Sequence, residues 1–247
     1  MLLKDKTAVI TGCNKGIGKK TLEVFSENGA TVFACVRNID EKFKSFSTEL
    51  EKKFNNKIIP IQFDFNEESK TKEAANNILG LNKPIDILVN NAATIHTAIF
   101  QMTSIKKLKE IFEVNFFSQT IFTQYILKSM IKNKKGSIVY ISSSSALDGN
   151  EGRSAYSSSK AAIIAQAKVL SRELGIHNIR VNSIAPGLTD TDMMKENHKK
   201  ELVSEVLSRT SLKKAANPRE IANVILFLSS DLASYITGQN IRVDGGM

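Results

Sequence analysis

Thr7-Ala8-Val9-Ile10-Thr11-Gly12-Cys13-Asn14-Lys15-Gly16-Ile17-Gly18 is a short β-branched and aliphatic run that breaks into three glycines and resumes as a helical pattern. Residues 7–11 predict a strand, and the apolar spacing over 17–28 predicts a helix. Glycines in the turn between them permit positive φ and let backbone N–H groups approach a pyrophosphate at the helix N-terminus. The spacing is Gly-x3-Gly-x-Gly, not the G-x-G-x-x-G of the general dinucleotide fingerprint. Alone, such a turn is also an ordinary strand-to-helix connection. Its place in the first βα unit favours cofactor binding, with Gly12, Asn14, Lys15, Gly16, Ile17 and Gly18 as candidate contacts.

The same alternation continues to the other end of the chain. Further strands are predicted over 31–36, 58–63, 85–90, 137–142, 179–185 and 240–243. Helical patterns lie between them over 41–54, 69–80, 105–132, 156–175 and 219–229. Near-continuous apolar runs such as Ile85-Asp86-Ile87-Leu88-Val89 suit strands covered on both faces. The fold class is therefore α/β: a Rossmann-type, doubly wound parallel sheet of about seven strands with helices on both faces. No Pro/Gly/Ser linker, repeat or composition shift divides the chain. It reads as one domain over 1–247, with a cofactor half over roughly 1–135 and a catalytic and substrate half over roughly 136–247.

Composition agrees. The 247 residues are 42% hydrophobic and 24% charged with four prolines, which excludes disordered and collagen-like classes. Two isolated cysteines, Cys13 and Cys35, are too few for a disulfide framework or metal cluster and read as small packing residues. No apolar run reaches the roughly 18 residues of a membrane span, and charge interrupts the first residues before any signal-peptide core. A cytoplasmic domain is expected. The net charge of +9 is spread over the chain, densest at Lys106/Lys107/Lys109 and Lys132/Lys134/Lys135. That distribution suits a solvated surface or a field for an anionic ligand, and no nucleic-acid or membrane partner is expected.

In a doubly wound sheet, ligands bind beyond the carboxyl ends of the strands, so residues just after each strand matter most. The second strand ends Val36-Arg37-Asn38, with an arginine where NAD-selective folds place a carboxylate for the ribose 2′-hydroxyl. Lys15 in the glycine turn brings a second cation, and together the two favour NADP(H). Tyr156-Ser157-Ser158-Ser159-Lys160 opens a helix with tyrosine and lysine at i and i+4, on one face. A nearby cation stabilises phenolate, and lowering a phenol from ~10 toward neutrality takes ~3 pH units, or roughly 4 kcal/mol. Such a tyrosine suits proton exchange in carbonyl/alcohol chemistry. The histidines His96, His177 and His198 lack ligand spacing, and no metal site is read. His96 follows the fourth strand, from which a side chain can reach substrate.

Taken in order, Thr11–Gly18, Asp64, Asn90-Asn91-Ala92-Ala93, Asn115, Ser143, Tyr156/Lys160, Pro186-Gly187 and the tail from Tyr235 to Met247 resemble the short-chain dehydrogenase/reductase family over essentially the whole chain. Within it, Pro186–Met193 and the tail look most like the 3-oxoacyl-[acyl-carrier-protein] reductases. The resemblance implies that Tyr156 is the general acid in reduction, that Lys160 lowers its pKa and binds the nicotinamide ribose, and that Ser143 hydrogen-bonds the carbonyl oxygen. Asn115 would hold a water linking Lys160 to a proton relay. Composition does not choose among Ser142, Ser143, Ser144 and Ser145; the family's serine lies thirteen residues before the tyrosine, at Ser143. Asp64, with Phe65 beside it, would meet the adenine; Asn90 would contact adenosine and stabilise the sheet, with Asn91 and Ala92 also in the cofactor site. The family usually shows Asn-Asn-Ala-Gly here, so Ala93 is a small departure. Pro186 and Gly187 would pass the nicotinamide, with the Thr189 backbone on its carboxamide and Thr191 near the phosphates.

The resemblance also implies a homotetramer built on the largely apolar 105–132 and 156–175 helices, and a variable substrate loop over 189–210. Such reductases offer two basic residues beside the active-site mouth to dock an acidic carrier; Lys134 stands at the first position and His177, with Arg180 nearby, at the second. The leading expectation is NADPH-dependent reduction of a 3-oxoacyl thioester on acyl carrier protein. The alternatives are a dehydrogenase/reductase for a free secondary alcohol, such as a sugar or steroid, and a non-catalytic NADP-sensing protein on the same fold.

Overall fold

A computed structural model describes residues 1–197 and 200–247. The chain alternates β1 (Thr7–Thr11), α1 (Gly16–Glu27), β2 (Thr31–Val36), α2 (Glu41–Phe54), β3 (Ile58–Gln62), α3 (Glu68–Gly80) and β4 (Ile87–Asn90). Then come α4 (Ile105–Phe112), a π-turn (Glu113–Phe117), α5 (Ser118–Asn133), β5 (Gly136–Ile141), α6 (Ser145–Asp148), α7 (Ser154–Leu174) and β6 (Ile179–Pro186). The chain closes with α8 (Asp192–Asn197), α9 (Lys200–Arg209), α10 (Pro218–Ser229) and β7 (Asn240–Val243).

The strands form one parallel seven-stranded sheet in the order β3-β2-β1-β4-β5-β6-β7. Strand order reverses between β1 and β4, which opens a crevice at their carboxyl ends. Pro60 lies in β3, an edge strand, where its missing N–H is tolerated. Central strands are buried on both sides, which explains their unbroken apolar runs. Ala8 and Ile10 of β1, with Val32 and Ala34 of β2, pack into one core with Leu22, Phe25 and Ile225. Val9 and Phe33 face the other, with Ile78, Phe122, Ile126 and Ile163. Cys13 belongs to the first core and Cys35 to the second; both are free thiols, and burial pushes both pKa values up. They serve packing.

One expected helix is interrupted. The pattern over 105–132 predicts a continuous helix, but Glu113–Phe117 widen into a π-turn in which Ser118 N–H donates to Glu113 O. Side-chain bonds hold the extra residue: Asn115 Oδ1 accepts from Thr94 N (2.8 Å) and Nδ2 donates to Thr94 O (2.9 Å). Such bulges arise where a side chain pulls the ladder out of register. Among the described residues, no helix is long and apolar enough to cross a membrane.

Candidate active site

A cleft of about 950 Å³ runs along the carboxyl ends of the strands, from Arg37 and Asn38 past the glycine turn to Tyr156 and the Thr189–Asn197 segment. Of the catalytic and cofactor candidates, all line it except Gly18, Asn90 and Asn115.

The glycine turn is shaped by close packing as much as by φ. Gly12 (φ +76°) and Gly16 (φ +57°) adopt left-handed backbone. Gly18 does not, yet a Cβ there would lie 2.2 Å from Gly12 O and 2.4 Å from Asn91 Nδ2. Asn91 clips the turn in place: its Nδ2 donates to Thr11 O (2.8 Å) and Gly12 O (3.3 Å). Thr11 Oγ1 in turn accepts from the N–H groups of Asn91 (2.9 Å) and Ala92 (3.0 Å). Asn90, expected at the adenosine, points the other way. It is fully buried and its Nδ2 donates to Thr123 Oγ1 (2.9 Å), because successive strand residues face opposite sides of the sheet.

At the end of β2, Asn14 Nδ2 donates to Asn38 O (2.9 Å), joining the glycine turn to the loop that carries Arg37. The nearest carboxylate in sequence, Asp40, is committed as the cap of α2, accepting from Phe43 N (2.8 Å). Arg37 is exposed, while Lys15 reaches Glu196 of α8 across the cleft at 3.8 Å. Asp64 Oδ1 accepts from both nitrogens of Asn66 (2.9 Å each). Phe65 also lines the cleft, and its ring packs with Phe63 and Phe122.

Beyond β6, Gly187 approaches Asp244 so closely that a Cβ would lie 2.7 Å from Asp244 Cα. Thr189 Oγ1 donates to Gly187 O (3.1 Å), and Thr191 abuts Gly16.

The four serines after β5 separate cleanly in space. Ser142 Oγ donates to Lys160 O (3.0 Å) and Ser145 Oγ pairs with Ser157 Oγ (2.7 Å). Ser144 is buried with its N–H on Pro186 O. Ser143 remains half-buried beside the Tyr156 phenol, where its hydroxyl favours the ionised form. Tyr156 is itself buried, and desolvation raises its pKa against the opposing influence of Ser143 and Arg153.

Lys160 Nζ lies 5.9 Å from the Tyr156 ring centroid and donates to Ile141 O (2.7 Å). Its side chain is almost wholly buried, and desolvation pulls its pKa down to about 7. Asn115 completes the wall: Nδ2 also donates to Ser159 Oγ (3.0 Å), so both of its amide hydrogens are engaged.

The buried lysine carries a stability consequence. The unfolded chain holds that proton to about pH 10.5, the folded chain only to about 7, so between these values the unfolded state carries more protons and stability rises with pH. Thermal unfolding of the cofactor-free protein at pH 7 and pH 9 should show a larger gain for wild type than for Lys160→Met. Equal gains would refute the buried, desolvated ammonium.

Three expectations are corrected here. His96 is not among the residues that line the cleft, although its neighbours Thr94 and Ile95 are. Arg180 is no docking residue: its guanidinium donates to Leu228 O (2.7 Å), Ser230 O (3.1 Å) and Ile236 O (3.2 Å). Lys134 and His177 precede β5 and β6, so they lie at the amino ends of the strands, a strand's length (~20 Å) from the cleft rather than beside its mouth. His198 lies outside the described residues. Among those described, no cluster of three His, Cys, Asp or Glu is placed to hold a metal.

Sequence reasoning missed Arg153, which lines the cleft; Met193, Met194 and Asn197 of α8, inside the expected substrate loop over 189–210, line it as well. The signal available for Arg153 was its place three residues before Tyr156, on the same helical face.

The family model described as Enoyl-(Acyl carrier protein) reductase matches residues 12–247. The chain is 36% identical to the 3-oxoacyl-[acyl-carrier-protein] reductase FabG of Aquifex aeolicus, covering 99% of this chain and 98% of that protein. Identity to FabG of Chlamydia trachomatis is 37%, covering 100% and 98%. Among solved structures, one from Beutenbergia cavernae, provisionally described as an NAD(P)-dependent gluconate 5-dehydrogenase with NADP bound at low occupancy, superposes with a TM-score of 0.93. It is 28% identical, over 99% of this chain and 97% of that one. A short-chain type dehydrogenase/reductase from Mycobacterium ulcerans also gives 0.93 at 28% identity, over 100% and 90%.

Proposed function

The chain belongs to the short-chain dehydrogenase/reductase family, and on that premise we propose that it is a cytoplasmic NADPH-dependent reductase of 3-oxoacyl thioesters carried on acyl carrier protein. The observation that carries this reading is one continuous cleft with a glycine turn and two cations at one end and Tyr156, Ser143 and Lys160 at the other. Residues to about 135 chiefly serve the cofactor; the remainder carry catalysis and substrate.

The residues fit a dinucleotide. Packing excludes side chains at Gly12 and Gly18, so the turn can offer backbone N–H groups to a pyrophosphate at the start of α1, with Asn14, Gly16, Ile17 and Thr191 around it. Lys15 and Arg37 would take a 2′-phosphate, since Asp40 is occupied as a helix cap. Asp64, Phe65, Asn91 and Ala92 would flank the adenosine, and Pro186, Gly187 and Thr189 the nicotinamide. When bound, the nicotinamide supplies the hydride that reduces the ketone. Tyr156 donates the proton to the carbonyl oxygen, and Ser143 hydrogen-bonds that same oxygen. Two hydroxyls converging on one oxygen suit a ketone better than the carbon–carbon double bond of an enoyl substrate. Lys160 orients the cofactor ribose and, once that partner and charge are present, favours loss of the Tyr156 proton. Asn115 anchors the wall that Lys160 and a relay water share.

A second copy of the chain is expected across the α4–α5 segment and α7, where Phe117 of the π-turn and Val169 of α7 stand about half exposed; a homotetramer is the assembly proposed. The gluconate dehydrogenase likeness supports a second reading, a free secondary alcohol as substrate.

The deciding assay follows NADPH and NADH oxidation with acetoacetyl and crotonyl thioesters, free and on acyl carrier protein. Acetoacetyl turnover with NADPH preferred, and that preference reduced in Arg37→Ala, is the expected result. Turnover of crotonyl thioester alone, or of free sugars alone, would overturn the substrate assignment.

A further inference from the structure

The mechanism above leaves one buried charge at the site without a task. Arg153 is 5% exposed, immediately precedes α7 and lines the cleft with Tyr156, one helical turn later. Its Nη2 donates to Asn197 O (3.1 Å), the last residue of α8, on the opposite wall. Arg153 remains cationic throughout the working pH range.

Among the described residues, other charged groups also border the cleft. Lys160, on the same helix, donates to Ile141 O. On the walls, Lys107 pairs with Glu110 (2.9 Å), and Glu196 reaches Lys15. Asp192 also lines the cleft, at the start of α8. From the segment after β5 the phenol meets the neutral Ser143.

We propose that Arg153 is a positioning residue that ties the α8 segment to the proton donor: held by the Asn197 carbonyl, its guanidinium keeps a positive charge beside the Tyr156 phenol. This rests on the reading that Tyr156 exchanges a proton with substrate. The direction of its influence agrees, since Arg153 opposes the rise in the Tyr156 pKa caused by burial. With α8 in place the phenol gives up and recovers its proton more readily; with α8 displaced, the guanidinium loses that anchor.

Arg153→Gln and Arg153→Lys separate charge from scaffold. Glutamine can still donate to the Asn197 carbonyl but carries no charge; lysine keeps the charge. Tyrosinate absorbance is titrated for wild type and both variants without substrate, and Tyr156→Phe, by difference, isolates Tyr156 among the four tyrosines. The Gln variant should ionise Tyr156 at higher pH than wild type, and the Lys variant should return toward wild type. In alcohol oxidation, which needs the deprotonated phenol, kcat of the Gln variant near pH 7 should fall by about tenfold or more while the basic limb moves up. A folded Gln variant with an unchanged Tyr156 titration overturns the proposal. So does a folded Lys variant that titrates like Gln. Because the titration uses no substrate, an error in the substrate assignment leaves this test intact.

Discussion

Tyr156→Phe should lower kcat for ketone reduction by about 10³-fold, or roughly 4 kcal/mol of barrier, while leaving NADPH affinity within a few-fold of wild type. The change deletes one hydroxyl and no ring. Its neighbour Ser143 is held independently, accepting from Ser145 N (3.2 Å), so the wall around it persists. What disappears is the group that hands a proton to the developing alkoxide. Steady-state rates with cofactor affinity measured separately distinguish loss of chemistry from loss of binding. A phenylalanine variant within tenfold of wild type would remove Tyr156 from the proton-donor role and, with it, the proposed mechanism.

Gly18→Ala should destabilise the protein by about 2–3 kcal/mol, lowering Tm by roughly 5–10 °C, and abolish NADPH binding at ordinary concentrations. Helix propensity alone predicts the opposite sign, because alanine in a helix is favoured over glycine by about 1 kcal/mol. Gly18 is in α1 and needs no left-handed backbone. Close approach decides: the new methyl would meet Gly12 O at 2.2 Å and the Asn91 amide at 2.4 Å, one a backbone atom and the other the clip that holds the turn. Neither can yield without opening the pyrophosphate cradle. Gly80→Ala is the matched comparison, since a Cβ at Gly80 meets nothing within 4 Å. Equal melting temperatures for the two variants would show that the crowding at Gly18 relaxes freely.

Much of the site was legible because its information is local. A strand that ends in glycines, a tyrosine four residues before a lysine, and an arginine rather than a carboxylate after β2 are all features of one short segment. Recognition of the family depended on their order along the chain. Where expectation and structure part, the cause is a contact between distant segments. Asn90 and Asn91 are adjacent and chemically identical, yet one is bound to Thr123 in the core and the other to the turn after β1. Lys134 and His177 matched a docking pattern by position, but β5 and β6 run away from them toward the cleft.

Periodicity and turn chemistry in the sequence alone determined the seven strands, their parallel sheet and the end of it where a ligand binds, because each is governed by residues a few positions apart. Composition left four consecutive serines undistinguished; the resemblance pointed to Ser143, and the tertiary structure shows the separate tasks of Ser142, Ser144 and Ser145. Only the tertiary structure decided that the 105–132 helix swells at Asn115 to meet Thr94, and that Arg153 spans from Tyr156 to α8. Those outcomes depend on which groups satisfy one another's hydrogen bonds and charges across the cleft, and these pairings exist only once segments far apart in the chain have packed together.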